Sequence, residues 1–230
     1  MTASEMAESA REAVAAGAGC VHFHVRGQDG RETLNAADVA AALKTMRAAI
    51  PGTPFGISTA EWILPDSIER QRVISQWTVF PDFISVNFNE IGAEALAASL
   101  IERGVGIEAG VGTVRTAELF IGSKLAPDCL RVMIEPEEQD IEEALNVVDY
   151  ISAFLDRACV KIPRLMHGYE KTVWPFVDAA AQRGYDTRVG FEESLNLPDG
   201  SLAPSNAALV AEAVRRTAAL RATTKTTAAG

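Results

Sequence analysis

Short apolar runs alternate along this chain with longer stretches whose apolar positions recur at helical spacing, and turn residues mark the joins between them. The opening stretch puts Met6, Ala10, Ala13 and Val14 on one helical face, with Thr2 or Ser4 placed to cap it and Gly17 and Gly19 to end it. Strands are predicted over 20–25, 55–58, 83–87, 105–108, 130–135, about 162–167 and 187–192. Helices are predicted over 36–49, within 61–76, over 93–102, near Ala117, and over 141–155, 172–183 and 204–220. Seven strands with a helix before the first and one after each describe a parallel α/β sheet with crossover helices. No Pro/Ser-rich linker or change of composition divides the series. Residues 1–222 are therefore expected to form one domain, and 223–230, rich in Thr and Ala, a disordered tail.

Composition narrows the partners. With 230 residues, 48% hydrophobic and 23% charged, the chain can bury a large core, and disorder is excluded. Lys and Arg total 21 against 31 Asp and Glu, a net charge of −10 spread along the chain, which argues against a nucleic-acid or anionic-membrane partner. No apolar run approaches the roughly 18 residues of a membrane span, and residues 1–12 carry acids where a signal peptide has a basic and then an apolar stretch. The three cysteines, Cys20, Cys129 and Cys159, have no CxxC spacing and read as reduced core residues of a cytoplasmic protein.

Parallel α/β folds gather their chemistry at the carboxyl ends of the strands. His22 and His24 fall there, as do Ser58 and Thr59, Asn87 and Asn89, Glu108, Glu135, His167, and Glu192 with Glu193. His22 and His24 alternate on a strand, so both side chains point to one face. With a carboxylate such as Glu192 they would make a His₂Glu set able to hold a catalytic zinc. On spacing alone the pair reads equally as two ordinary histidines; its place at a strand end favours metal. Ser58 and Thr59 either bind a substrate carboxylate or cap the next helix. Asn87 and Asn89 bind a ligand or merely end a strand. Glu108 and Glu135 are acid/base groups or interior charges paired with arginines. His167 reads as the most structural of the three histidines, although His-Gly at a strand end also suits a ligand phosphate or carboxylate, and Arg188, Glu192 and Glu193, taken singly, read as salt-bridge residues.

The stretch Ala16-Gly-Ala-Gly-Cys-Val-His-Phe-His-Val-Arg26 and the segment Arg188-Val-Gly-Phe-Glu-Glu-Ser194 resemble the beta-keto acid cleavage enzymes, the family of 3-keto-5-aminohexanoate cleavage enzyme. Pro81-Asp82, Ser85-Val-Asn87 and the closing 202–214 segment fit the same family. The resemblance implies a TIM (β/α)₈-type barrel, here without the first β-strand that family members place before the opening helix. It implies Zn²⁺ or another divalent metal on His22, His24 and Glu192, and acetyl-CoA as co-substrate. The implied reaction condenses a β-keto acid with acetyl-CoA and cleaves the product to acetoacetate and a new acyl-CoA. Arg188 and Glu193 take the catalytic positions, where the family has Asp rather than Glu. Ser58 takes a substrate-carboxylate position, and Thr59, Asn87 and Glu108 complete the expected substrate-binding set. A homo-oligomer follows from the family as well. The alternatives are another metal-assisted barrel lyase or aldolase acting on a keto acid, and a catalytically impaired metal-binding barrel.

Overall fold

Five of the helices begin where a side chain takes up backbone N–H groups that the first turn leaves free. In the computed structural model, which describes residues 1–227, α1 (Ala3–Ala15) opens on a reciprocal Thr2/Glu5 capping box. Asn35 caps α2 (Ala36–Ala49), Asp66 caps α3 (Ser67–Ser75), Thr113 caps α5 (Val114–Gly122) and Asp140 caps α6 (Ile141–Arg157). The set is completed by α4 (Ala93–Ile101), α7 (Val173–Arg183) and α8 (Asn206–Thr227). The expected disordered tail starts within the last turns of α8, and its residues 228–230 lie outside the described residues.

The strands are β1 (Val21–Phe23), β2 (Phe55–Ser58), β3 (Phe83–Asn87), β4 (Gly106–Val111), β5 (Arg131–Ile134), β6 (Arg164–Met166) and β7 (Asp186–Thr187). They form one parallel sheet in chain order, β1 to β7, with helices packed outside it. This is the TIM-type α/β fold expected, short of one strand. β2 and nearly all of β3 and β4 are buried on both faces, which is why their sequences read as continuous apolar runs. Register sets a polar row across four strands, since Ser58 lies opposite Ser85, Ser85 opposite Glu108, and Glu108 opposite Arg131.

Four expectations need correction. The strand predicted over 187–192 shrinks to the two residues of β7. The chain then turns tightly, with Glu193 and Ser194 donating their N–H groups to Gly190 O, because Arg188 draws both following glutamates back onto itself. β1 ends at Phe23, so His24 sits just past it, at the base of a hairpin closed by an Arg26–Glu32 bridge. Neither Ser58 nor Thr59 caps α3, because Asp66 does so. Finally, Cys159 is not a core residue: all three cysteines are free, but Cys159 is exposed, at a positive φ of 59°. Only Cys129 is fully buried, and burial pushes its thiol up to about 12.

β1 and β7 end the sheet, and among the described residues no strand pairs with their free edges. α1 and α8 nevertheless pack against each other across this gap. Beneath them runs a cavity of about 1060 Å³, walled by Ala10 and Ala13 of α1 and Ala213 of α8, and reaching His22, Arg188 and Glu192. The position where an eighth strand of a closed barrel would lie is therefore a roofed slot beside the residues of greatest chemical interest.

Candidate active site

His22 comes from β1, and its ring lies 5.3 Å from that of His24, centroid to centroid. Across the gap, Glu192 comes from the turn after β7. One ligand atom each from His22, His24 and Glu192 lie within 4.8 Å of one another.

The surroundings fix which nitrogen each ring offers. Ser85 Oγ donates to Glu108 Oε1 at 2.7 Å and lies 3.2 Å from His22 Nδ1. Burial raises the Glu108 pKa, but the charges of Arg131 and Arg188 more than offset it, so Glu108 is a carboxylate and can only accept. Ser85 has one proton, and Glu108 takes it. His22 Nδ1–H must then donate to Ser85 Oγ, leaving Nε2 with its lone pair. For His24, Nδ1 lies 3.0 Å from Glu32 Oε2 and Nε2 lies 3.5 Å from Glu192 Oε1. A carboxylate on the far nitrogen of a ligand histidine is the usual way its ring is oriented and made more basic. Two imidazole nitrogens and a carboxylate oxygen, with His22 held by Ser85 and the His24 Nδ1 close to Glu32 though not aligned as a hydrogen bond, fit a divalent ion of the zinc type.

The charge states agree with that arrangement. Burial, reinforced by Arg188, drops the His22 pKa to about 3, so this ring is neutral. Burial also pulls His24 down, but Glu192 and Glu32 outweigh it and raise its pKa. Burial pushes Glu192 up, whereas the His24 hydrogen bond and the Arg188 charge take it well below the usual carboxylate range. A metal ion here would compete with a proton for His24 and Glu192.

Arg188 organises the other half of the site. Its Nε donates to Glu193 Oε1 at 2.6 Å and its Nη2 to Glu192 Oε1 at 3.1 Å. Burial opposes its charge, but Glu193 and Glu192 raise its pKa still further. Glu193 is only 3% exposed. One guanidinium thus ties Glu192, which faces the two histidines, to a buried carboxylate.

The remaining candidates stand further round the strand ends. Thr59 donates its hydroxyl proton to Ser85 O, while Ser58 Oγ accepts from Ala60 N and keeps its own proton. Asn87 donates to Glu90 Oε1, and Glu90 pairs with the buried Arg70 at 3.1 Å. Asn89 is exposed in the following turn. Glu108 is held by Ser85 and, at 2.5 Å, by Arg131. Glu135 accepts from Tyr169 OH at 3.1 Å and faces His167. A side chain on Gly110 would displace Asn87 Oδ1 and Glu135 Oε1, so glycine there leaves both groups in place.

Sequence reasoning missed Glu32, Ser85, Arg131 and Trp62. Trp62, 61% exposed, stacks on His24 with centroids 6.1 Å apart and donates Nε1–H to Glu32 Oε2 at 3.0 Å. Glu32 was within reach of the sequence, because the turn at 27–30 folds the chain back and brings residue 32 beside residue 24. Replacing it, Glu32→Gln, is expected to weaken metal binding about 10- to 100-fold, read by competition with a chromophoric chelator. An unchanged affinity would show that Glu32 does not orient His24.

Comparison with known proteins follows the same lines. The family model for beta-keto acid cleavage enzyme matches residues 1–229. No curated protein matches the chain. Among solved structures, the ternary complex of ObcA with a C4-CoA adduct and oxalate superposes with a TM-score of 0.76 at 14% identity, covering 95% of this chain and 63% of that one. The binary complex of ObcA with oxaloacetate gives 0.74 at 15% identity, covering 94% and 62%. The 3-dehydroquinate dehydratase from Geobacillus kaustophilus HTA426 gives 0.60 at 12% identity, covering 98% and 88%. At these identities the likeness is one of fold, and the chain spans about 63% of the ObcA chain.

Proposed function

Since this chain belongs to the beta-keto acid cleavage enzyme family, we propose that it condenses a β-keto acid with acetyl-CoA and cleaves the product to acetoacetate and a new acyl-CoA. The observation that carries this reading is the double grip of Arg188 on Glu192 and Glu193. It puts a buried carboxylate beside the one that groups with the two histidines, as a base next to a metal ligand would require. The ObcA structures, whose ligands include oxaloacetate and a C4-CoA adduct, support a keto acid and a CoA thioester as the substrate classes.

His22, His24 and Glu192 would hold the metal, taken as zinc from the donor set. Bound there, the ion supplies Lewis-acid polarisation of the keto acid's oxygens. Glu193 acts as general base and removes a proton from the carbon between the ketone and the carboxylate. That carbon attacks the acetyl-CoA carbonyl and the CoA thiolate leaves. The thiolate then attacks the original ketone carbon, the bond to the central carbon breaks, and Glu193 returns the proton to the departing acetoacetate. Ser58, which keeps its hydroxyl proton, and the second amide hydrogen of Asn87 are donors for the substrate carboxylate. Thr59 and Glu108, both engaged with Ser85, shape that wall from behind. The same reading has residues 1–222 as one folding unit of a cytoplasmic homo-oligomer, a setting in keeping with three free thiols.

The test is to load the protein with zinc, incubate it with acetyl-CoA and a panel of β-keto acids, and look by mass spectrometry for acetoacetate and a new CoA ester. No product from any member at full metal occupancy would overturn the reading.

A further inference from the structure

The third histidine has no part in that scheme, yet it lies against its base. His167 follows β6 and is fully buried. Its Nε2 stands 3.2 Å from Glu135 Oε2 and its Nδ1 stands 3.8 Å from Glu193 Oε1. Neither nitrogen makes an aligned hydrogen bond. A buried polar group left this way costs about 1–3 kcal/mol, so an apolar residue would be the cheaper filling for a strand end inside a barrel.

The ring is nonetheless held firmly. Tyr169 packs edge-on against it, with centroids 5.1 Å apart, and donates its hydroxyl to the same Glu135 oxygen that His167 faces. The loop beneath is locked, because Thr172 Oγ1 accepts from Tyr169 N and a side chain on Gly168 would run into Thr172. On the other side of Glu193, Arg188 Nε donates to Oε1. The guanidinium thus bonds Oε1 of Glu193, while the imidazole Nδ1 stands 3.8 Å from the same oxygen, beyond hydrogen-bond distance but close enough to bar its rotation. The other oxygen, Oε2, lies over Gly190, whose missing side chain leaves room that Glu193 Oε2 and Asn206 Oδ1 both border.

We infer that His167 is a positioning residue which, with Arg188, pins Oε1 of Glu193 and so makes Oε2 the oxygen that meets the substrate proton. Glutamate needs such a hold. Its unbranched side chain has one more rotatable bond than aspartate, and a single contact from Arg188 leaves the carboxylate free to turn. Glu135 and Tyr169 serve the same end by fixing the imidazole. The inference rests on the proposed role of Glu193 as base.

Asparagine and glutamine at position 167 separate the two ring nitrogens. An asparagine amide can stand where Nδ1 faces Glu193, whereas a glutamine amide reaches instead to the place of Nε2, facing Glu135. His167→Leu is expected to lower kcat about 10- to 100-fold with KM and bound zinc unchanged. His167→Asn should recover most of that loss and His167→Gln should not. Equal activity of the Asn and Gln variants, or an unaltered kcat in His167→Leu, would overturn the inference; the Asn/Gln comparison decides if the Leu variant does not fold. If the unmodified protein turns over no β-keto acid, it is the proposed reaction that fails. The positioning role is then read from crystal structures: the Glu193 carboxylate should rotate away from its present place in His167→Gln and stay in His167→Asn, and an unmoved carboxylate in both would refute it.

Discussion

His24→Ala is expected to leave the protein without bound metal after desalting, as read by elemental analysis. Three protein ligands become two, and the two survivors come from opposite sides of the slot, His22 on β1 and Glu192 beyond β7. Loss of an outer partner alone costs about 10- to 100-fold in affinity, so loss of a ligand should cost at least about 100-fold. A stability readout gives an independent measure. Metal that binds only the folded state stabilises it by about 2.7 kcal/mol at a free concentration 100 times Kd, which raises Tm by about 5–10 °C for a chain of this size. The unmodified protein should show that rise on adding zinc and His24→Ala should not. Stoichiometric zinc in the variant would sink the assignment of the site.

Arg131→Met is expected to be the most destabilising single change. Glu108 is 1% exposed and its carboxylate rests on the Arg131 guanidinium at 2.5 Å, with the Ser85 hydroxyl as its other partner. Removing one member of a buried ion pair strands the other, which costs about 3–5 kcal/mol and so lowers Tm by about 6–20 °C. Arg131 also lies over the Phe83 ring, 5.0 Å from its centroid, and Met keeps much of that apolar contact. The loss should therefore be electrostatic, and Glu108→Gln added to Arg131→Met should recover most of it. Because Glu108 takes the Ser85 proton that sets the His22 tautomer, zinc affinity should fall along with stability in the single variant. A loss below about 1 kcal/mol would place the pair among solvated ones.

Where sequence and structure agree, burial pattern explains it. The 55–58 and 83–87 strands and the 36–49 helix end where predicted because flanking turn residues and caps coincide with the limits of their apolar stretches. The 187–192 strand does not survive, because its sequence is apolar enough but β7 has a neighbour on one side only. Nothing there competes with the pull of Arg188 on two adjacent glutamates. The same logic divides the candidate site. His22, His24, Arg188, Glu192 and Glu193 could be singled out by spacing along the chain and by family resemblance. Ser85 lies in a family-like stretch, but its role, like that of Arg131, comes through strand register, which matches residues from separate strands and leaves no trace in linear spacing. A lone histidine at a strand end reads as structural; the two carboxylates that flank His167 come from the loops after β5 and β7, the strands on either side of β6, a neighbourhood that strand order sets and linear spacing does not show.

An unpaired parallel edge ordinarily invites another chain to add itself, and an exposed one seeds fibres. The free edges of β1 and β7 look toward each other, not outward, with the α1–α8 contact standing over the space between them. A neighbouring molecule approaching this flank meets helix surface instead of bare backbone. The helical layer thus protects an incomplete sheet from templated aggregation, and crowding should not drive the chain into cross-β assemblies through this face while α1 stays docked.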